Sequence, residues 1–589
     1  MVRQSIFFRF QRWREQHIGQ RNFLLLLSVV VGLAGGLVAL VLKTSVFYLH
    51  ELLLKNRGFD EYNLLIFIYP FIGITLTFLF LKTIVRDSGK HNIAAILYAI
   101  SKRNSLMKAH KIFSSIIGGI LTAGFGGSIG LESPIISSGA SIGSNVSRIL
   151  KLSYKEVTLL LSCGAAGAIS AIFHTPLAAI VFAIEVLLID LTRFSLIPLL
   201  IASVCGAIVT NVFFQDEILF EFVLKDPYEV HHTVFYIILG VLSGLVSVYF
   251  SKVYFRVENY TNRMPELKRL FLGGLVLGVI LFLFPSLYGE GYQFIKAIFA
   301  ENFTSIMQTN ININLDNYHW FFYFFFISLL LLKPFVTSVT LVSGGVGGII
   351  APALFTGAIT GMILSHSLNL LGLNISESNF ALVGMGGVLS GVLHAPLTGI
   401  FLIAETTQGY ELIVPLMLTS TISFVTVKVF EPNSIFTVQL AKSGDLITHH
   451  KDKAILTFMK LKSVIETDFT TIDVDDNLGD LVKVISTSKR NIYPVIDEEG
   501  ILNGIILMDN IREIMFDKEM YDQTPVTNLM ILPPAYIGYT DTMKEVIEKF
   551  ETTDAWNLPV IDNAKYVGMV SKSKLFSAYR NLLLEISEE

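Results

Sequence analysis

Nine long stretches of the chain are free of Asp, Glu, Lys and Arg. They are residues 22–42, 62–81, 112–131, 157–184, 194–214, 233–251, 270–289, 334–376 and 378–404. A bilayer core of ~30 Å takes ~20 residues of apolar helix, because backbone N–H and C=O groups must bond internally where there is no water. The pattern therefore predicts an all-α polytopic membrane protein. The last two runs are rich in Gly, Ser and Pro, which predicts short or broken helices buried among others, since irregular backbone facing lipid is costly.

Part of this pattern occurs twice. GAAGAISAIFHTPLAAIVFAIE begins at Gly164 and GMGGVLSGVLHAPLTGIFLIAE at Gly384, with 8 of 22 positions identical. Upstream, GGSIGLESPIISSGA from Gly126 and GGVGGIIAPALFTGA from Gly344 match Gly130 with Gly348 and Pro134 with Pro352. The membrane part is thus a duplicated unit of about 220 residues. Duplicated transporter halves hold substrate near the midplane, where interrupted helices aim their positive N-terminal ends and free N–H groups at an anion. GLESP and GIIAP, one from each half, read as paired helix starts, with glycine allowing close approach and proline suiting a first turn.

Charge divides the chain near Leu446. Half of the 48 acidic residues but only 15 of the 44 basic ones lie beyond that point, so an acidic soluble domain follows a membrane domain. The whole chain is 52% hydrophobic and 16% charged, with a mean hydropathy of +0.61; globular proteins average about 25% charged residues. A net charge of −4, without a basic stripe, argues against nucleic-acid binding. Cys163 and Cys205 both lie in apolar runs, which gives no disulfide framework and no thiolate metal site. Basic residues flank the first spans: Arg3, Arg9, Arg12, Arg14 and Arg21 against Glu15, then seven bases against Asp87 in residues 82–111. By the positive-inside rule both segments are cytoplasmic. The first apolar run, too long for a signal core, reads as a retained span, and the lack of a targeting extension suits a bacterial inner membrane.

Glu132, within GLESP, is the ionisable residue of most interest, because a charge in the membrane costs at least ~2.5 kcal/mol and faces a water or ion pathway. Among N–H groups arranged for an anion it competes with that anion when ionised and withdraws when protonated. Glu185 and Glu405 end the two repeat copies and read as structural partners at helix ends. His174 and His394, each before a Pro-Leu, read as polar caps of the helices that follow. Glu290, in YGEGY, is assigned no role. HELLL at His50 lacks the second histidine of a zinc protease, and Gly89-Lys90 lacks the rest of a P-loop, so no enzyme motif survives.

These residues resemble the CLC family of chloride channels and chloride/proton antiporters, whose signatures are GSGIP, G(K/R)EGP and GxFxP. The ordered set GLESP, HTPLAAIVFAIE, GIIAP and SIFTVQLAKSG at Ser434 carries the resemblance. It implies a homodimer in the lipid bilayer, each subunit with two inverted repeats and its own chloride pathway. By motif position, Ser88 supplies a hydroxyl to the central chloride and Ile349 and Ile350 supply N–H groups. Glu132 is then the gate, and Leu131 and Ser133 supply N–H groups to the outer anion position. The resemblance implies no cofactor and no metal, only chloride as the transported ligand.

The departures bear on mechanism. Lys90 and His91 replace the Ile-Pro of the first signature and add positive charge at the cytoplasmic mouth. Phe436 stands where many relatives have a tyrosine whose hydroxyl bonds chloride. Ile350 replaces the Phe of GxFxP and keeps its N–H. Val186 occupies the position of the internal proton-transfer glutamate of antiporters, and valine carries no proton. The expectation is a gated chloride channel with passive conduction, the alternative a chloride/proton antiporter of the same family. A CBS-containing membrane enzyme and a divalent-cation transporter are remote rivals, lacking metal ligands and converging carboxylates respectively.

In the tail, YPVID at Tyr493 and LPVID at Leu558 recur, each followed by a strand-like run. This resembles a tandem pair of CBS domains, small α/β units that commonly sense adenine nucleotides. Of the positions that CBS nucleotide sites typically use, a Ser/Thr (here Leu507 and Ser571) and an Asp three further on (here Asn510 and Lys574), only Ser571 keeps the expected type, which leaves a structural or dimer-clamping role beside nucleotide sensing. The resulting division is an N-terminal cytoplasmic segment, 1–21, and a membrane domain, 22–445, with repeats at about 22–225 and 226–445. A cytoplasmic CBS pair, 446–589, completes it, with modules at about 460–518 and 525–585.

Overall fold

The computed structural model describes residues 14, 16–54, 64–87, 92–188, 193–214, 227–300, 319–407, 410–442 and 459–587. Ser88, Lys90 and His91 lie outside the described residues. The chain divides into two compact units, Met1–Leu446 and Ile447–Glu589.

In the first unit the apolar runs become helices whose ends follow glycine and proline. The opening helices are α1 (Gln20–Leu54), α2 (Leu64–Leu79), α3 (Ile93–Lys102) and α4 (Lys111–Gly124). α5 (Glu132–Ile149), α6 (Tyr154–Phe173), α7 (Pro176–Glu185) and α8 (Arg193–Phe214) complete the first half. The second half runs through α9 (Thr233–Thr261), α10 (Glu266–Leu283), α11 (Tyr292–Phe299) and α12 (His319–Val342). It ends with α13 (Ile350–Leu370), α14 (Glu377–Leu393), α15 (Pro396–Thr406), α16 (Ile413–Phe430) and α17 (Val438–Lys442). Eight of the described helices are long and apolar enough to cross a membrane.

The uncharged runs overstate helix length, most clearly in three of them. Run 112–131 ends as helix at Gly124, because the glycine-rich loop before Glu132 leaves the helical path. Runs 157–184 and 378–404 each split at a histidine. His174 and His394 do not cap the following helix. Each closes the preceding one in the left-handed conformation, φ 59° and 57°, donating its N–H to the carbonyl of Ser170 or Ser390. Proline two residues on, which has no N–H and clashes with a preceding turn, forces the break there. Pro334, where run 334–376 begins, lies inside α12.

The duplication extends to packing. A Cβ on Gly143 of α5 would sit 1.9 Å from the Leu160 carbonyl oxygen of α6, and one on Gly361 of α13 would sit 1.9 Å from the Phe380 carbonyl of α14. Only glycine allows these backbones to approach so closely. The two halves also cap one another. Glu405 accepts hydrogen bonds from the N–H groups of Leu177 (3.1 Å) and Ala178 (2.8 Å) at the start of α7. Glu185 accepts from Leu397 N–H (3.1 Å), Thr398 N–H (2.7 Å) and the Thr398 hydroxyl (2.8 Å) at the start of α15. Each glutamate thereby satisfies donors that a helix start leaves unbonded.

The second unit repeats a three-stranded motif. In the first copy β1 (Ile472–Asp473) pairs parallel with β2 (Ile492–Ile496), which pairs antiparallel with β3 (Leu502–Leu507). In the second, β4 (Ile537–Gly538), β5 (Asn557–Asp562) and β6 (Lys565–Ser571) repeat this order. Apolar residues such as Tyr493, Val495 and Ile506, then Leu558, Val560 and Val570, bury the sheets against their helices.

Candidate anion site

The two glycine-rich loops meet in the interior of the membrane unit. Gly130 N–H donates to the Gly348 carbonyl (2.9 Å) and Gly348 N–H to the Gly130 carbonyl (2.7 Å). This reciprocal pair joins the halves immediately before α5 and α13 begin. The supports are duplicated as well: Gly127 N–H bonds the Thr122 carbonyl, and Gly345 N–H bonds the Thr340 carbonyl. Helix starts α5 and α13 therefore lie side by side with their free N–H groups in one region, the arrangement that stabilises an anion.

Glu132 is the first residue of α5 and is fully buried. Its Oε1 accepts a 2.6 Å hydrogen bond from the Tyr292 hydroxyl at the start of α11. Its Oε2 has no hydrogen-bond partner among the described residues. A Cβ at Gly130 would lie 1.9 Å from that Oε2, so glycine makes room for the carboxylate.

A buried lysine supports this corner. Lys333, in α12, is 0% exposed, and its Nζ donates to Ser128 Oγ (2.9 Å), the Gly289 carbonyl (3.1 Å) and the Leu287 carbonyl (3.3 Å). Three ammonium donors thus meet three acceptors. The contact ties the loop leading to Glu132 to the turn leading to Tyr292. Glu290, half-buried in that turn, interacts electrostatically with Glu132, Lys43 and Lys333.

Of the sequence-predicted site residues, Leu131, Glu132 and Ser133 stand beside Gly348, Ile349 and Ile350: a Cβ on Gly348 would lie 2.8 Å from Ser133 Oγ. Ser133, Ile349 and Phe436 border one cavity of about 20 Å³, together with Asn92 and Tyr254; a water needs roughly 10–15 Å³. Val186 ends α7 as a buried C-cap beside Glu185 and does not border this cavity. No sequence motif assigns a role to Tyr292, Lys333 or Ser128. Lys333 carries a signal, a cation between two apolar runs; Tyr292 and Ser128 carry none.

In the tail, Ser571 is engaged within the protein: its hydroxyl donates to Glu466. Glu466 also pairs with Arg490 Nη2 at 2.6 Å, and Arg490 bonds Asp468 at 2.7 Å, which holds the Asp468 carboxyl below the usual carboxylate range. The Glu466 backbone bridges to Met569 of β6. Arg490, from the first CBS module, is thereby linked to Ser571 in the second.

Two inward helix starts beside a buried carboxylate, in a duplicated helical bundle, define a membrane transporter of anions. The profile of the family described as "Voltage gated chloride channel" matches residues 72–428, and that of the CBS domain matches 461–517 and 526–581. The chain belongs to this chloride channel and transporter family, the CLC family, and carries a tandem CBS pair. It is 28% identical over 384 residues to a putative chloride channel protein ClcB-like of Ralstonia nicotianae, covering 63% of this chain and 83% of that protein. It is 28% identical over 415 residues to the H(+)/Cl(-) exchange transporter ClcA of Yersinia pestis, covering 67% and 82%. Its fold resembles the crystal structure of a slow cyanobacterial Cl-/H+ antiporter, with a TM-score of 0.61 at 23% identity, covering 72% of this chain and 98% of that one. It also resembles a eukaryotic CLC transporter, with a TM-score of 0.60 at 16% identity, covering 94% and 97%.

Proposed function

We propose that the protein exchanges chloride for protons, with Glu132 as the group that both ions meet. The observation that carries this reading is the Glu132 carboxylate, buried where two helix starts converge and hydrogen-bonded through only one oxygen among the described residues. Ionised, it competes with chloride for the same N–H groups. Protonated, it releases them. One side chain thereby couples anion occupancy to proton uptake.

Relatives named H(+)/Cl(-) exchange transporters support proton coupling over the passive channel expected from the sequence. Val186 favours that second reading, since a buried valine carries no proton. In the exchange reading a proton reaches Glu132 without a carboxylate at position 186. Chloride is held by N–H groups of Leu131, Ser133, Ile349 and Ile350 and, by motif position, by the Ser88 hydroxyl. The functional unit is a homodimer in a bacterial inner membrane with both termini cytoplasmic, in keeping with the basic segments that flank the first spans. The CBS pair acts as a structural clamp and takes no adenine nucleotide, a reading supported by the engagement of Ser571 with Glu466.

The test is Glu132→Gln in liposomes. The variant passes chloride but moves no protons and loses the pH dependence of flux. Unchanged pH dependence refutes the assignment of Glu132.

A further inference from the structure

We propose that the Ser133 hydroxyl is a direct ligand of the transported anion, taking the place of the hydroxyl that Phe436 lacks. The inference rests on the anion-transport reading above and adds a donor to that site. Ser133 is the second residue of α5 and is 1% exposed, and its Oγ has no hydrogen-bond partner among the described residues. Two serines further along the same helix are satisfied by the preceding turn: Ser141 donates to the Ser137 carbonyl (2.7 Å) and Ser147 to the Gly143 carbonyl (2.6 Å), while Ser138 and Ser144 donate to the carbonyls of Lys111 and Ser105. Ser133 has no such recourse, because the residue four positions earlier, Ile129, precedes the helix. A buried hydroxyl without a partner costs about 1–3 kcal/mol, a cost relieved when a solute accepts a hydrogen bond from it.

The place it faces suits an anion. Ser133 borders the cavity shared by Gly348, Ile349 and Phe436, at the N-terminal ends of both α5 and α13. N–H groups and positive helix ends converge there, so a small anion is stabilised and a cation is not. The neighbouring carboxylate, Glu132, bonds Tyr292, not Ser133. Against the signature motifs the chain has exchanged donors. GLESP carries serine where G(K/R)EGP has glycine, and Phe436 stands where a tyrosine hydroxyl is common. One hydroxyl is lost and another gained on the border of the same cavity.

The experiment is calorimetric titration of chloride into the purified full-length protein and its variants. Loss of one hydrogen bond to a charged partner corresponds to roughly tenfold in affinity. Ser133→Ala is expected to weaken chloride binding by about that factor, and Ser133→Gly, which restores the signature residue, to do the same. Phe436→Tyr in the Ser133→Ala background is expected to recover most of the loss. Wild-type affinity in either single variant overturns the inference while leaving chloride transport intact. Failure of the wild-type protein to bind chloride or to pass it across vesicles overturns the transport reading instead. Should Ser133→Ala not yield folded protein, Ser133→Gly alone decides by the same criterion.

Discussion

Replacing Tyr292 with phenylalanine removes a single hydroxyl and retains the ring. That hydroxyl donates to Glu132 Oε1 at 2.6 Å, and Oε2 has no hydrogen bond among the described residues to compensate. A hydrogen bond to a charged group contributes about 1.5–3 kcal/mol, or about tenfold to a hundredfold in occupancy at about 1.4 kcal/mol per decade. Without it the ionised carboxylate holds its place at the helix starts less firmly, and chloride competes better for the same N–H groups. Chloride efflux from liposomes, measured against external chloride, should half-saturate at a concentration lower by about tenfold or more. The variant must elute as wild type in gel filtration, so that the change is local. Half-saturation equal to wild type, in a well-folded variant, refutes the reasoning.

Other expectations can be checked together. Glu185→Ala removes three accepted hydrogen bonds and Glu405→Ala two; at about 1 kcal/mol per partly exposed bond, the first variant should melt lower than the second in detergent, and the reverse order contradicts the mutual capping. Lys333→Met leaves Ser128 and two carbonyls without their buried donor and should destabilise by about 3 kcal/mol or more, read as a drop in apparent melting temperature. Millimolar ATP should leave the unfolding temperature of the full-length protein unchanged, since a ligand that binds only the folded state raises it; a rise contradicts the clamp reading of the CBS pair.

The sequence exposed what is periodic or repeated. Long uncharged runs located the helices, the matched GLESP and GIIAP loops located the helix starts, and the two PVID copies located the CBS strands. Helix breaks inside uncharged runs were harder to read, because the run records only the absence of charge. At His174 and His394 the following proline carries the signal, but a histidine before a helix start is equally compatible with capping forwards or closing backwards. Tyr292 and Ser128 were not legible at all. Each reaches the site through a contact spanning more than 150 residues, 160 for Tyr292 with Glu132 and 205 for Ser128 with Lys333, and no local pattern encodes such a distance. The mutual caps were half legible: the glutamates ended both copies, yet only the packed halves reveal that each serves the other's helix.

Proton movement in reconstituted liposomes under an imposed chloride gradient, with chloride efflux followed in parallel, tests the central claim most directly. The exchange reading predicts protons driven uphill by chloride in the wild-type protein and no such movement in Glu132→Gln. Chloride efflux from wild-type vesicles without proton movement contradicts it and returns the protein to the passive channel that Val186 suggests.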